Sequence, residues 1–221
     1  MKTNKIFFNL DLNWVNNINV NLSAVERRTT TLVKRRSIKK EYQASWLLKA
    51  ITLIDLTTLS GDDTFGKVDR LCKKALSPIA SNILSELEIS ENSLKVGAVC
   101  VYHHLVSQAK KQLNGKLPIA AVSTGFPAGL SSFATRKKEI IDSIKSGANE
   151  IDIVINRGFV IQNNWKKLYE EVKNFKLAAK NTKIKAILGV GDLETMRNVA
   201  KASLVCMMAG ADFIKTSTGK E

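Results

Sequence analysis

The stretch GANEIDIVIN, residues 147–156, decides the fold of this chain. Successive side chains of a β-strand point to opposite faces, so its three isoleucines share one face and Asp152 points to the other. The isoleucine face suits packing beneath helices, which puts a carboxylate on the opposite face of a largely apolar strand. The fold therefore has to accommodate a charge inside a sheet.

Three other candidate strands carry polar or charged side chains in the same way. An open sheet covered by helices on both faces should seldom hold several charges, whereas the inner face of a barrel carries them near its mouth. No GxGxxG pattern follows the first strand, which argues against a dinucleotide-binding open sheet. The sequence thus favours a barrel. The side chains are Asp55 and Thr57 in ITLIDLT, Lys185 in KIKAILGV and Lys215 in DFIKTS.

From about residue 44 the sequence alternates between short strands rich in Val, Ile and Ala and segments whose apolar residues have helical spacing. Repeated β-α units predict a parallel sheet with right-handed crossovers. Asp192 is expected to cap the helix that begins near residue 196. The predicted strands are residues 51–57, 95–102, 118–124, 150–156, 183–190 and 213–217.

Two of these strands match one another. SGANEID and AGADFIK both run from a small residue through Gly and Ala to an Ile followed by a charge, so Asp152 and Lys215 hold the same place in the fourth and sixth strands. Alternate strands supply one side-chain layer of an eight-stranded barrel, so this acid and this amine should lie within reach of one ligand. The alternative is a buried ion pair that only holds the barrel together, although such pairs contribute little to stability.

A lysine beside a carboxylate in such a layer suits Schiff-base chemistry. The amine attacks a carbonyl only when unprotonated, and a free lysine with a pKa of about 10.4 is neutral in roughly one molecule in a few thousand at pH 7. Burial and a neighbouring cation lower that pKa and raise the share of nucleophile. A nearby carboxylate moves the protons that addition and C–C cleavage require.

The formal net charge is +14, and the densest basic stretch, RRTTTLVKRRSIKK at residues 27–40, carries seven cations. This stretch is open to two interpretations, an RNA-binding segment or a solvated helix whose Leu32 and Val33 dock on the domain. Few aromatic residues lie among the cations, and no zinc-finger or RNP pattern is present. The second interpretation is therefore favoured, and nucleic acid is not expected as a partner.

The cysteines and the hydropathy pattern indicate the cellular compartment in which the protein is expected. Cys72, Cys100 and Cys206 are widely spaced and form no metal-binding pattern, so we expect reduced thiols and no bound metal. No apolar run approaches the roughly 18 residues of a membrane span. The expected location is the cytoplasm.

Five motifs lie in order along the chain: IDLTTLSGDDT at 54–64, AVCVY at 98–102, GFPAG at 125–129, GANEIDIVINR at 147–157 and FIKTSTGK at 213–220. Together they closely resemble the motifs of the deoxyribose-phosphate aldolases, and the resemblance covers essentially the whole chain. The segment KKEYQASWLLKAITLIDLTTLSGDDT is similar to the longer, eukaryotic-type members of that family.

The resemblance implies a metal-free class I aldolase on a TIM-type (β/α)8 barrel. Such an enzyme reversibly cleaves 2-deoxy-D-ribose 5-phosphate to D-glyceraldehyde 3-phosphate and acetaldehyde, needs no cofactor, and can form a homo-oligomer. Carried over by motif, Lys215 is the Schiff-base lysine and Asp152 the proton donor and acceptor. The residues that match substrate-binding positions are Asp55, Thr57, Cys100 and Lys185, with Gly219 and Lys220 for the phosphate.

The chain also departs from the family pattern. His103 stands where the family usually has proline, and the fifth-strand turn reads GVGDL where the family often ends in Thr-Gly-Glu-Leu. The family continues with two further β-α units, one of which bears a second lysine. Without that cation, the pKa of Lys215 is expected to fall less than in a complete barrel.

The number of β-α units in the sequence predicts how the chain divides into domains. We expect an N-terminal helical extension over residues 1–43 and an incomplete TIM barrel of about six β-α units over residues 44–221, cut before the last two units. A sixth strand with an open edge should make the chain weakly stable or prone to association. The main interpretation is an aldolase, and the alternative is a catalytically impaired fragment that acts through a partner subunit.

Overall fold

The computed structural model describes residues 7–35, 38–90 and 93–220, and within them strands alternate with helices. The strands are β1 Asp55–Thr57, β2 Ala98–Tyr102, β3 Ile119–Ser123, β4 Glu150–Val154, β5 Lys183–Ile187 and β6 Phe213–Lys215. The α-helices are α1 Leu12–Asn17, α2 Leu22–Arg35, α3 Lys40–Ile51, α4 Phe65–Leu76, α5 Ser81–Glu86, α6 Val106–Leu113, α7 Phe133–Ser146, α8 Arg157–Ile161, α9 Trp165–Ala179 and α10 Met196–Met208. Short 3-10 turns occupy His103–Leu105 and Val190–Leu193.

The strands form one parallel sheet in the order β1-β2-β3-β4-β5-β6, which confirms the predicted β-α succession. Each strand is shorter than predicted because its apolar run continues into the turn before or after it. The first strand differs most. Ile51 is the last residue of α3, and the amide of Thr52 still donates to carbonyls of that helix. Pairing with β2 therefore begins only at Asp55.

The two faces of the sheet bury different side chains. The three isoleucines of GANEIDIVIN are fully buried in the main core, together with Ile140 of α7 and Phe175 of α9. Full burial of one such side chain contributes roughly 1.5–3 kcal/mol to stability. The opposite face carries a smaller apolar cluster of Cys100, Ala120 and Val122. The charged side chains lie on this second, inner face.

The sheet curls, so that side chains of β1 reach those of β5. Lys185 on β5 forms an ion pair with Asp55 on β1, although three strands lie between them in the sheet. Within the described part of the chain no ladder joins β1 to β6, and both are edges of the sheet. The architecture is a half-barrel of the TIM type, with the charged side chains on its concave inner face.

Asp192 does not cap α10, contrary to expectation. Asp192 lies within the 3-10 turn Val190–Leu193, and the helix instead begins after Thr195, whose side-chain oxygen accepts the amide of Asn198 at 3.1 Å. Asp192 lies 2.9 Å from Nε of Arg157 and links the turn after β5 to α8.

The N-terminal segment docks only in part. Val15 of α1 is fully buried, and the Tyr169 hydroxyl donates to the carbonyl of Phe8 at 2.8 Å. In contrast, none of the described side chains of α2 and α3 is buried. Leu32 and Val33 are 62% and 87% exposed, so the expectation that they dock is wrong.

The predicted N-terminal extension, residues 1–43, contains α1, α2 and the first residues of α3. Residues 36 and 37 of the basic stretch lie outside the described residues. The predicted division after residue 43 falls inside α3 and stays a prediction.

The described cysteines are all free and buried, as expected. None of the helices in the described ranges combines the length and apolar character needed to cross a bilayer.

Candidate active site

Lys215 and Asp152 meet on the inner face of the half-barrel. Asp152 lies in the middle of β4 and Lys215 ends β6, so that β5 separates their backbones. The Lys215 Nζ atom is 2.7 Å from Asp152 Oδ2. The aspartate side chain is fully buried, whereas 30% of the lysine side chain is exposed. The amine is therefore the member of the pair that an entering ligand can reach.

A second lysine lies on the other side of the same aspartate. Lys185 Nζ is 3.5 Å from Asp152 Oδ1 and 2.7 Å from Glu150 Oε2, and it also bonds to Asp55. Burial lowers the pKa of Lys185, but the charge of Asp152 and the hydrogen bonds that Lys185 donates to Asp55 and Glu150 outweigh this effect, so the pKa is raised. Lys185 is thus a fixed ammonium group, shared among three carboxylates and unsuited to nucleophilic attack.

The pKa of Lys215 is set by opposing effects. Burial is the largest and lowers it, but the negative charge of Asp152, the neighbouring Cys100 and the hydrogen bond to Asp152 together raise it above its ordinary value. The charge of Lys185 lowers it only in part. The resting amine is therefore an ammonium group that already donates a hydrogen bond to Asp152.

Cys100 provides an apolar surface beside the pair of Lys215 and Asp152. Its Sγ atom is 3.9 Å from Asp152 Oδ2, and the side chain is fully buried. Burial, helped by the charge of Asp152, raises the pKa of the Cys100 thiol to about 12. The thiol stays protonated at neutral pH and is not a nucleophile here.

The structure brings together most of the residues expected at the site. Asp55, Cys100, Asp152, Lys185 and Lys215 form one connected cluster. The other three expected residues lie at the end of β1 and in the turn after β6. The Thr57 hydroxyl donates to the carbonyl of Asp55 at 2.7 Å, and Gly219 and Lys220 lie in the turn after β6, where their amides bond to Ser217 and Thr218.

Glu150 belongs to the cluster but was not expected from the sequence. It is the first residue of β4, two positions before Asp152, and its side chain is only 13% exposed. The alternation that places Asp152 on the inner face places Glu150 there as well. The signal was present, but a charged residue at the start of a strand is equally typical of a solvated turn.

Within the described ranges, no group of three or more His, Cys, Asp or Glu side chains has the arrangement to hold a metal ion. The three carboxylates around Lys185 are instead neutralised by lysine ammonium groups. The chemistry that this arrangement supports is that of a primary amine with a carboxylate at hydrogen-bond distance.

A TIM-type half-barrel with a lysine–aspartate pair on its inner face defines a class of protein, the Schiff-base aldolases. The sequence profile described as DeoC/LacD family aldolase matches residues 49–221. The chain belongs to this family.

Relatives and solved structures agree with this assignment. The chain is 52% identical to mouse deoxyribose-phosphate aldolase and 49% identical to the human protein, in each case over 96% of this chain and 68% of the relative. A deoxyribose-phosphate aldolase candidate from Coccidioides immitis superposes with a TM-score of 0.67 at 28% identity, over 79% of this chain and 62% of that structure. The chain thus spans about two thirds of the length of the proteins it matches.

Proposed function

We propose that this chain is a deoxyribose-phosphate aldolase that cleaves 2-deoxy-D-ribose 5-phosphate reversibly to D-glyceraldehyde 3-phosphate and acetaldehyde. The observation that carries the proposal is the 2.7 Å contact between the Lys215 amine and the buried Asp152 carboxylate. The names of the mouse and human relatives point to the same substrate. They favour this activity over an impaired fragment that acts only through a partner.

In the proposed reaction Lys215 is the nucleophile. Asp152 accepts a proton from the ammonium group, and the free amine adds to the aldehyde carbon of the sugar, with loss of one water to give an iminium ion. Removal of the proton from the C3 hydroxyl then breaks the C2–C3 bond, and its electron pair forms an enamine on Lys215. Protonation of the enamine and hydrolysis release acetaldehyde and regenerate the amine. No electron is exchanged with an external acceptor, and neither metal nor cofactor is required.

The remaining residues are proposed to bind or orient the substrate. Thr57 and Cys100 are proposed to line the space beside the reacting carbons, and the turn at Gly219 and Lys220 to bind the phosphate through the Lys220 ammonium group. Lys185 lies 3.5 Å from Asp152 and also pairs with Asp55, so Lys185 and Asp55 are proposed to hold Asp152 in position. Buried, reduced cysteines suit the cytoplasm, where we place the enzyme. We also propose a homo-oligomer, to be tested by sedimentation at several protein concentrations.

The experiment that tests the activity is a coupled assay of D-glyceraldehyde 3-phosphate formed from 2-deoxy-D-ribose 5-phosphate. The proposal requires turnover that survives dialysis against a chelator and is lost in Lys215→Met. Turnover that Lys215→Met retains, or its absence in the folded wild-type chain, would refute it.

A further inference from the structure

Thr124, which directly follows β3, has a backbone that threonine rarely adopts. Its φ is +63°, in the left-handed region, and the residue is fully buried. A β-branched side chain is disfavoured there, and such outliers persist only when the surrounding structure holds them. Gly125, the next residue, also has a positive φ of +74°, which glycine adopts freely. The chain therefore turns sharply at the C-terminal end of β3.

The hydroxyl of Thr124 is what holds this turn. Its Oγ1 atom accepts the amide of Val154 at 2.7 Å and has two carbonyls within donating distance, Ser123 at 2.7 Å and Val154 at 3.0 Å. The side chain thus takes the place of a backbone partner and fastens the end of β3 to the end of β4. Valine has the same shape but neither donates nor accepts, so it would leave these buried backbone groups unpaired.

The turn directs Phe126 onto the inner face of the half-barrel. Its ring meets the ring of Tyr102 edge-on with centroids 5.7 Å apart, and both rings pack on the apolar cluster of Cys100, Ala120 and Val122. A second contact holds the same turn from outside, since Glu139 Oε2 accepts the amide of Gly125 at 2.8 Å.

The rings of Tyr102 and Phe126, together with the cluster on which they pack, form an apolar wall beside the lysine–aspartate pair. Cys100 lies 3.9 Å from Asp152, and Val122 is the register partner of Asp152 on the neighbouring strand. An apolar wall at this place excludes water from the amine and offers contact to the hydrocarbon part of an aldehyde. How the wall is seated therefore bears on how well an aldehyde binds next to Lys215.

We propose that Thr124 is a positioning residue, whose hydroxyl holds the strained turn that seats Phe126 against Tyr102 and so sets the affinity of the site for the aldehyde. This inference deepens the proposed function and rests on it, because the aldehyde has to condense with Lys215. Thr124 itself touches neither the amine nor the carboxylate in this arrangement, and it acts through Phe126.

The test is borohydride trapping of acetaldehyde on Lys215, followed by mass spectrometry across a range of acetaldehyde concentrations. We expect Thr124→Val to raise the half-saturating concentration about tenfold, a change that corresponds to about 1.4 kcal/mol. Thr124→Ser keeps the hydroxyl and should restore the wild-type value. Thr195→Val, which removes the side-chain cap of α10 and none of the hydrogen bonds of the Thr124 turn, is the matched control: it should lower stability without changing half-saturation.

Phe126→Ala shows whether Thr124 acts through the ring. The double variant with Thr124→Val should have the same half-saturation as Phe126→Ala alone, because the two changes disrupt one wall. Should the valine variant not fold, Thr124→Gly accepts the positive φ without strain and still lacks the hydroxyl, so the same rise is expected.

Three outcomes would overturn the positioning role: wild-type half-saturation in the folded valine or glycine variant, a serine variant that fails to restore it, or additive effects in the double variant. In each of them wild-type Lys215 is still labelled, and the proposed function stands. A wild-type chain that forms no adduct on Lys215 would instead refute the proposed function itself.

Discussion

Asp152 Oδ2 accepts a hydrogen bond of 2.7 Å from the ammonium group of Lys215, although the two residues are 63 positions apart in sequence and one strand lies between them in the sheet. Asp152 is fully buried and forms ion pairs with both Lys215 and Lys185. The same anion therefore raises the pKa of Lys215 and, in the proposed reaction, accepts its proton. These two roles have opposite effects on the reaction, and substitution of Asp152 separates them.

Replacement of Asp152 by asparagine should affect cleavage and imine formation differently. The loss of the negative charge lowers the pKa of Lys215, so the equilibrium fraction of Lys215 trapped by acetaldehyde and borohydride at pH 7 should rise. Cleavage of the sugar phosphate needs proton transfer and should fall by about 10²–10⁴-fold. Equal losses in both measurements would show that Asp152 only maintains the structure.

The protonation of Lys215 is measurable by competitive acetylation with acetic anhydride, which modifies only neutral amines. Because its pKa is raised, the midpoint for Lys215 should lie above the ordinary lysine value of about 10.4. The ion pair then contributes stability fully below about pH 10.4, and this contribution is lost as the pH rises through the folded pKa. A midpoint below the ordinary value would contradict the dominance of Asp152 over burial.

Lys185 should matter for stability more than any exposed lysine. Lys185→Met leaves Asp55, Glu150 and Asp152 close together without the cation they share, and removing one partner of a buried ion pair costs about 3–5 kcal/mol. Urea unfolding at pH 7 measures this cost. It should shrink as the pH is lowered and the carboxylates become protonated.

The control for Lys185 is Lys138→Met, which breaks a pair with Asp142 whose lysine side chain is 73% exposed. That change should stay within about 0.5 kcal/mol. Equal effects of the two substitutions would show that the cluster around Lys185 does not hold the half-barrel together.

A second buried ion pair tests the packing of the helices that cover the outer face of the sheet. Arg136 on α7 and Glu171 on α9 are 2.5 Å apart and each about 95% buried, and Glu171 also accepts the amide of Asn156 after β4. Glu171→Gln alone should destabilise the chain by about 3–5 kcal/mol, because it leaves a buried guanidinium group without its counter-charge. The double variant with Arg136→Met should recover much of that loss in the same urea titration. Additive losses in the double variant would contradict this coupling.

Strand identity and the inner-face charges were predictable from the sequence because both follow from alternation. The isoleucines of β4 and the opposed Asp152 are one period-two pattern, and the match between SGANEID and AGADFIK placed Lys215 in the same layer. The ion pair between Lys215 and Asp152 shows that these two matched positions lie together on the inner face.

Features that depend on the curl of the sheet were not predictable in this way. The contact between Lys185 and Asp55 crosses the interior from β5 to β1, and no local pattern encodes how far the sheet bends. Glu150 follows the alternation but was missed, since its role appears only once Lys185 lies beside it. The positive φ of Thr124 arises from bonds to β4, 30 residues away, which override the local preference of threonine.

The most direct test is to incubate the chain with 2-deoxy-D-ribose 5-phosphate or acetaldehyde, reduce with borohydride and map the product by peptide mass spectrometry. We predict one ethyl group on Lys215 with acetaldehyde, formed well before any on the other lysines and abolished by Lys215→Met. Labelling spread over exposed lysines with none on Lys215 would contradict the assignment of this amine as the nucleophile.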